Sequence, residues 1–102
     1  MALKRYNDLL ILPDNQHRTE FVPLSQIVFC ETFRGVTKLH LAMPSSIIAK
    51  NPLNEVMKII NDASFIEIND SQFLNKSYIK SINETEKLLT TSLQHKLILS
   101  KK

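Results

Sequence analysis

The residue types able to carry chemistry are few and widely separated in this chain. The three histidines, His17, His40 and His95, are far apart, and no two of them share a predicted helix or tight turn. Cys30 is the only cysteine. It has no CxxC partner and lies in an apolar stretch, where a buried, unreactive thiol is the ordinary state. The sequence therefore predicts neither a metal site nor an internal disulfide.

Carboxylates and glycines give no better support for catalysis. Glu67 and Asp70 are three positions apart near the end of a predicted strand, where carboxylates are usually solvated rather than paired as an acid and a base. Gly35 is the only glycine, whereas phosphate-binding loops and nucleophile elbows need several. We therefore predict no catalytic residue and no cofactor, and we expect that the protein is not an enzyme.

The elements that would position any site are mostly strands. Short apolar runs alternate with turn residues, and the connections are too short for successive βαβ crossovers, so we expect antiparallel sheets. Residues 71–75 are expected to form a turn or a short helical piece, with Asn75 hydrogen-bonded to nearby backbone. Strands are predicted over residues 9–12, 21–22, 27–32, 36–41, 47–49, 65–68, 78–82, 88–93 and 97–99, with a hairpin through 33–35.

One segment has the period of a helix, at about residues 52–61. Asn51 is placed to cap its N-terminus, Pro52 suits the first helical position, and Glu55 falls in the favourable first turn. Asn61 and Asp62 are expected to end it. Four apolar residues fall on one face at helical spacing: Leu53, Val56, Met57 and Ile60.

The length and the amino-acid composition predict one ordinary globular domain over residues 1–102. Hydrophobic residues make up 43% and charged residues 23%, and the formal net charge is +3, which favours polyanionic partners without identifying one. The chain has no run of about 18 apolar residues and no signal-peptide pattern. Together with the lone cysteine, this predicts a cytoplasmic protein with no membrane partner.

Four stretches carry a more specific pattern. Residues 22–32 are an apolar strand, a two-residue lead to isoleucine and an apolar segment closing on glutamate, and residues 51–56 are a helix start with an early leucine. Residues 65–82 space a phenylalanine, a serine, an asparagine and two isoleucines, and residues 99–102 are Leu-Ser-Lys-Lys. In these features the chain resembles the LytTR DNA-binding domain of bacterial response regulators, most strongly over residues 21–102.

The resemblance implies an elongated stack of small antiparallel sheets that serves transcription regulation in a bacterial two-component system. Double-stranded DNA would be read through loops at strand ends rather than by a recognition helix, and paired sites would favour two copies of the domain on DNA. Carried over to this chain, the contacts would come from the segment between two strands (Arg34, Thr37, Lys38), the second loop (Asn69, Asp70, Ser71) and the basic end (Lys101, Lys102). Apart from the resemblance, the charge of Lys76 suits a contact to the DNA backbone.

The residue types suit these roles. Lysine and arginine neutralise phosphates, and arginine also binds a guanine edge through two hydrogen bonds. Asn69 would pair with an adenine edge, and the hydroxyls of Ser71 and Thr37 would donate to phosphate oxygens.

The resemblance also has a departure. The family usually carries basic or imidazole side chains where this chain has Glu67, Asn69 and Asp70. A carboxylate that faces a phosphate is repelled by it, unless it accepts from a cytosine amino group. This leaves a second hypothesis open, in which a LytTR-like fold has lost its DNA surface and serves as a protein interaction or dimerisation module.

Overall fold

The structure is a computed structural model that describes residues 2–13, 18–43 and 45–100. Within these ranges the chain forms eleven strands and one α-helix, so the predicted mostly β fold with a single short helix is confirmed. The elements are β1 (Lys4–Tyr6), β2 (Leu9–Leu12), β3 (Glu20–Pro23), β4 (Ile27–Phe33), β5 (Val36–Leu41), β6 (Ser46–Ala49), α1 (Leu53–Ile60), β7 (Phe65–Asn69), β8 (Gln72–Asn75), β9 (Ile79–Asn83), β10 (Leu88–Thr91) and β11 (Lys96–Ile98).

The strands form three antiparallel sheets, as the short connections predict. An N-terminal sheet has the order β1-β2-β3, and a C-terminal sheet has the order β11-β10-β9. Between them in sequence lies a central sheet of five strands, in the order β6-β5-β4-β8-β7. The molecule extends 45 × 23 × 23 Å along its principal axes, which confirms the elongated stack of small sheets.

Both faces of the central sheet are covered. Neighbouring residues of a strand point to opposite faces, so a strand such as β4 contributes side chains to both cores. Cys30 and Leu39 lie opposite each other in β4 and β5 and pack into a core with the N-terminal sheet and α1. Phe29 and Leu74, paired across β4 and β8, pack into a second core with Leu89 and other residues of the C-terminal sheet. The loops at either end of this sheet are therefore held on a support that is packed from two sides.

Helix α1 confirms the predicted apolar face but not the predicted cap. Leu53, Val56 and Ile60 are buried, and Asn61 ends the helix in the left-handed conformation (φ 41°). Pro52 is the capping residue and provides no side-chain bond, while the Asn51 amide donates instead to the Glu55 carboxylate at 2.7 Å. In the described part of the chain, no helix is long and apolar enough to cross a membrane.

Two parts of the sheet architecture differ from the sequence prediction. Gln72–Asn75 is a strand and not a turn or helical piece, because it lies between β4 and β7 and pairs with both. The polar strand Lys4–Tyr6 was not predicted, and it forms by pairing with β2. Asn75 does bond to backbone, since its amide donates to the Ile27 carbonyl and its side-chain oxygen accepts from the Ser77 N–H, both at 3.0 Å.

Candidate nucleic-acid interface

A tight hairpin joins β4 and β5 and presents a cation at its tip. Phe33 and Val36 form the last cross-strand pair, so only Arg34 and Gly35 make the loop. Both have positive φ, at 52° and 84°, as the primed turns of two-residue hairpins require. Among the described residues, no atom beyond the two chain neighbours lies within 4 Å of a Cβ placed on Gly35. The positive φ of this position, and not a lack of space, therefore favours glycine there. Arg34 is exposed at the tip.

The Phe33 ring gathers two cations at this tip. The Arg34 guanidinium carbon lies 5.3 Å from the ring centroid and the Lys38 ammonium nitrogen lies 5.2 Å from it, within the range of cation–π attraction. Lys38 is paired across the strands with Glu31, but the Glu31 carboxylate contacts His40 at 2.5 Å and Gln72 at 3.2 Å. Neither Arg34 nor Lys38 takes part in the ion pairs found among the described residues.

The turn between β7 and β8 lies beside this hairpin. The Thr32 N–H donates to the Ser71 carbonyl at 2.9 Å, and Glu31 pairs with Gln72. Asp70 and Ser71 are both exposed in this turn. The structure therefore brings together two of the loops that the resemblance marks as DNA contacts.

A third cation, not anticipated from the sequence, lies at the same end of the sheet. Thr37 pairs with Ala49 in the antiparallel ladder of β5 and β6, so Lys50 follows β6 next to the hairpin and is exposed. We call the residues Phe33, Arg34, Lys38 and Lys50, with the Asp70–Ser71 turn, the hairpin surface.

Thr37 does not belong to this surface. Its side chain points into the first core and is 0% exposed, and its hydroxyl donates to the Asn51 carbonyl at 2.8 Å. A buried hydroxyl with a satisfied bond has no path to a phosphate. Thr37 instead joins β5 to the segment that leads into α1, and the predicted DNA contact is not supported at this position.

Asn69 is part of the turn itself. Its amide nitrogen donates to the Gln72 side chain and to the Ile98 carbonyl, both at 2.8 Å, and its side-chain oxygen accepts from the Ser71 N–H at 2.8 Å. Pairing with an adenine edge needs both the donor and the acceptor of an asparagine amide. Because both are used here, Asn69 shapes the turn and ties it to β11, and a base contact would have to replace these bonds.

Lys76 is not brought to the hairpin surface. Lys76 follows the opposite end of β8 from Ser71, and its N–H donates to the Ser64 carbonyl. It is exposed, but it lies at the other end of the central sheet. Lys101 and Lys102 lie outside the described residues.

The fold brings together two histidines that are distant in the sequence. The His40 ring stacks on Phe29 with 4.0 Å between centroids, and His95 meets both rings edge-on, at 5.0 Å from Phe29 and 6.0 Å from His40. The Thr91 hydroxyl lies 3.0 Å from His95 Nδ1. Burial, together with the nearby His40, lowers the pKa of His95 from its ordinary value, against the opposite influence of Glu31.

The lowered pKa of His95 predicts that the domain loses stability as the pH falls. In the unfolded chain His95 titrates near the ordinary value of about 6.5, and in the folded domain it titrates lower. Between the two values the unfolded chain binds a proton that the folded one does not, so protonation favours unfolding. This contribution is fully present above the unfolded pKa and is lost as the pH falls through it towards the folded pKa.

Urea unfolding at a pH of about 7.5 and of about 5.5 tests this expectation. The free energy of unfolding should fall more for the unchanged domain than for His95→Asn, which removes the titrating ring but keeps a polar side chain beside Thr91. Equal losses in the two proteins would show that other groups carry the dependence.

The described residues show neither a reactive thiol nor a cluster of metal-binding side chains. Cys30 is 0% exposed, and burial raises the pKa of its thiol to about 12, which confirms the expected unreactive thiol. No three side chains of His, Cys, Asp or Glu that could hold a metal ion lie together in the described ranges. His17 lies outside those ranges.

Comparison with known proteins identifies the family of this fold. The model of the LytTr DNA-binding domain family matches residues 17–102. The chain is also similar to a solved LytTr DNA-binding domain from Bacillus cereus, assigned to a methyl-accepting/DNA response regulator, with a TM-score of 0.75 and 22% sequence identity over 91% of this chain and 86% of that one. No curated protein matches the sequence. The chain belongs to the LytTr DNA-binding domain family.

Proposed function

We propose that this chain is the sequence-specific DNA-binding domain of a transcription regulator, and that it reads double-stranded DNA through the hairpin surface. Membership of a family of DNA-binding domains supports the activity. The observation that carries the proposed site is the position of Arg34 and Lys38, two exposed or half-exposed cations on one hairpin that share the Phe33 ring.

The shape of the hairpin suits the major groove. That groove admits a two-stranded β-ribbon, and a loop of only two residues keeps the tip narrow. Arg34, at the tip, is the residue for a guanine edge, to which an arginine donates two hydrogen bonds. Lys38, set back along β5, and Lys50, which directly follows the neighbouring strand β6, are placed for the flanking phosphates.

The second loop completes the surface. The exposed Ser71 hydroxyl can donate to a phosphate, and Asp70 beside it opposes phosphate binding by its charge. Lys101 and Lys102 remain proposed phosphate contacts. Thr37, Asn69 and Lys76 are left out, the first two because of their internal hydrogen bonds and Lys76 because of its position at the other end of β8.

The proposal includes the regulatory system in which the domain would act. As in the response regulators of the family, the domain would serve as the output of a two-component system, with two copies bound at paired sites. The rival hypothesis, an interaction module with a lost DNA surface, predicts a large exposed apolar patch and no contiguous basic face. Arg34, Lys38 and Lys50 do not take part in the ion pairs among the described residues, so we favour DNA binding.

A binding titration tests the proposal. The purified domain is titrated with random-sequence duplex DNA at several salt concentrations, and preferred sequences are then selected from a random pool. We expect log affinity to fall linearly with log salt, by about 0.9 for each phosphate neutralised, and we expect the pool to converge on a repeated motif. Binding that does not depend on salt, or no binding at low salt, would reject DNA recognition and favour the protein interaction module.

A further inference from the structure

The Phe33 ring contacts both cations of the hairpin. We propose that Phe33 is a positioning residue for DNA binding, whose ring holds the Arg34 guanidinium and the Lys38 ammonium together before DNA arrives. The inference deepens the proposed function and rests on it. It assigns a role to an aromatic residue that would otherwise be an exposed apolar side chain at a turn.

The geometry gives Phe33 few other roles. It is 38% exposed and forms the last pair before the two-residue loop, and it belongs to neither buried core cluster. Both cations lie within 5.3 Å of its centroid. Cation–π attraction at an exposed site favours each contact by a factor of about two to five.

Lys38 also forms no ion pair with its acidic neighbour among the described residues. Glu31 is the direct cross-strand partner of Lys38, and an ion pair between them would neutralise the ammonium. Instead His40 and Gln72 bond to the Glu31 carboxylate, while Phe33 attracts the Lys38 side chain towards the tip. The charge therefore remains available at the end of the hairpin.

Positioning of this kind should raise affinity, because lysine and arginine lose much rotamer freedom when they are fixed in a complex. A ring that already restricts both side chains reduces this loss. The benefit passes entirely through Arg34 and Lys38, and this distinguishes positioning from a direct DNA contact by Phe33 or from a contribution to folding.

The first test compares single variants on the duplex selected from the random pool. Phe33→Leu keeps an apolar side chain but removes the ring, and we expect it to weaken binding by about four- to 25-fold, the product of two cation–π contacts. Phe33→Tyr keeps the ring and should bind like the unchanged domain. Phe21→Leu is the matched control, because Phe21 is also exposed (59%) but lies on the N-terminal sheet. Urea unfolding of each variant shows whether the fold is retained.

The decisive test repeats Phe33→Leu in a domain that already carries Arg34→Ala and Lys38→Ala. A positioning residue has nothing left to position there, so the substitution should cause no further loss. A loss that persists in this background would overturn the inference. The inference would also be overturned if the single variant Phe33→Leu bound DNA like the unchanged domain while the single variant Lys38→Ala bound more weakly. If the unchanged domain fails to bind DNA at all, the proposed function falls and takes this inference with it, a result distinguishable from either of the others.

Discussion

Arg34→Ala is expected to lower affinity for the preferred duplex by about five- to 150-fold, the usual range for a lost bidentate contact to guanine. The loss should be much smaller on random DNA, because only the charge of Arg34 acts there. The variant should therefore show relaxed sequence preference at one position when it is selected again from the random pool. The turn should tolerate the change, since the Arg34 side chain is exposed and the glycine position is kept.

Lys38→Ala should give a different signature. If Lys38 contacts a phosphate, its loss weakens all sequences to a similar degree and reduces the slope of log affinity against log salt by about one. The matched control is Lys58→Ala, which removes the same charge from an exposed position in the last turn of α1, where alanine is a good helix former. Equal effects of Lys38→Ala and Lys58→Ala would mean that net charge and not the hairpin surface governs binding.

The strand pattern of β5 bears on two of the predicted DNA contacts, Thr37 and Lys38. Alternation along β5 places Thr37 with Leu39 and Leu41, so a sequence reading that assigns Lys38 to the outside must assign Thr37 to the core. The structure confirms this consequence, with Thr37 and Leu39 both 0% exposed. The two predicted DNA contacts Thr37 and Lys38 therefore lie on opposite faces of β5, with Thr37 buried and Lys38 half-exposed.

Asn69 had a local signal as well. An asparagine two residues before a serine in a turn commonly accepts from the backbone N–H of that serine, and this is the bond observed to Ser71. Its second role, a bond to the Ile98 carbonyl, joins residues 29 positions apart and could not be read from local sequence.

The features that the sequence did not predict have a tertiary origin. Gln72–Asn75 is short and begins in a turn-like stretch, and it becomes a strand because the central sheet offers a partner on each side. The cluster around Phe33 depends on the register of β4 and β5, and the meeting of His40 with His95 depends on how the C-terminal sheet packs against the central one. Apart from β1 and β8, the strands were predictable because they carry their own apolar patterns.

Asp70 offers the reverse experiment, a gain of binding. It is exposed in the β7–β8 turn beside the hairpin, and the Asn69 side chain, not the Asp70 carboxylate, makes the bond that supports the turn. Its negative charge opposes phosphate at the end of the sheet where Arg34, Lys38 and Lys50 attract it. This is the departure from the family pattern that motivated the interaction-module hypothesis.

Asp70→Lys is therefore expected to raise affinity for random duplex DNA by about tenfold at a salt concentration of about 0.1 M, and to steepen the salt dependence by about one phosphate contact. Asp70→Asn should give a smaller gain, because it removes repulsion without adding a cation. The matched control is Asp8→Lys, an equal change of charge at an exposed turn whose carbonyl accepts from Leu24, next to the opposite end of β4.

The sign of the change in DNA affinity distinguishes two roles for the Asp70 carboxylate, repulsion of phosphates and recognition of a base. A gain from both Asp70 variants, with little change from Asp8→Lys, would show that Asp70 weakens an otherwise working DNA surface. A loss of affinity for the selected duplex, with altered preference at one position, would contradict this account and indicate that Asp70 accepts from a cytosine amino group. In that case the acidic turn would contribute to the sequence specificity of this domain. The Asp70 carboxylate would be bonded where the correct base is present and would be repelled by the nearby phosphates at every other sequence.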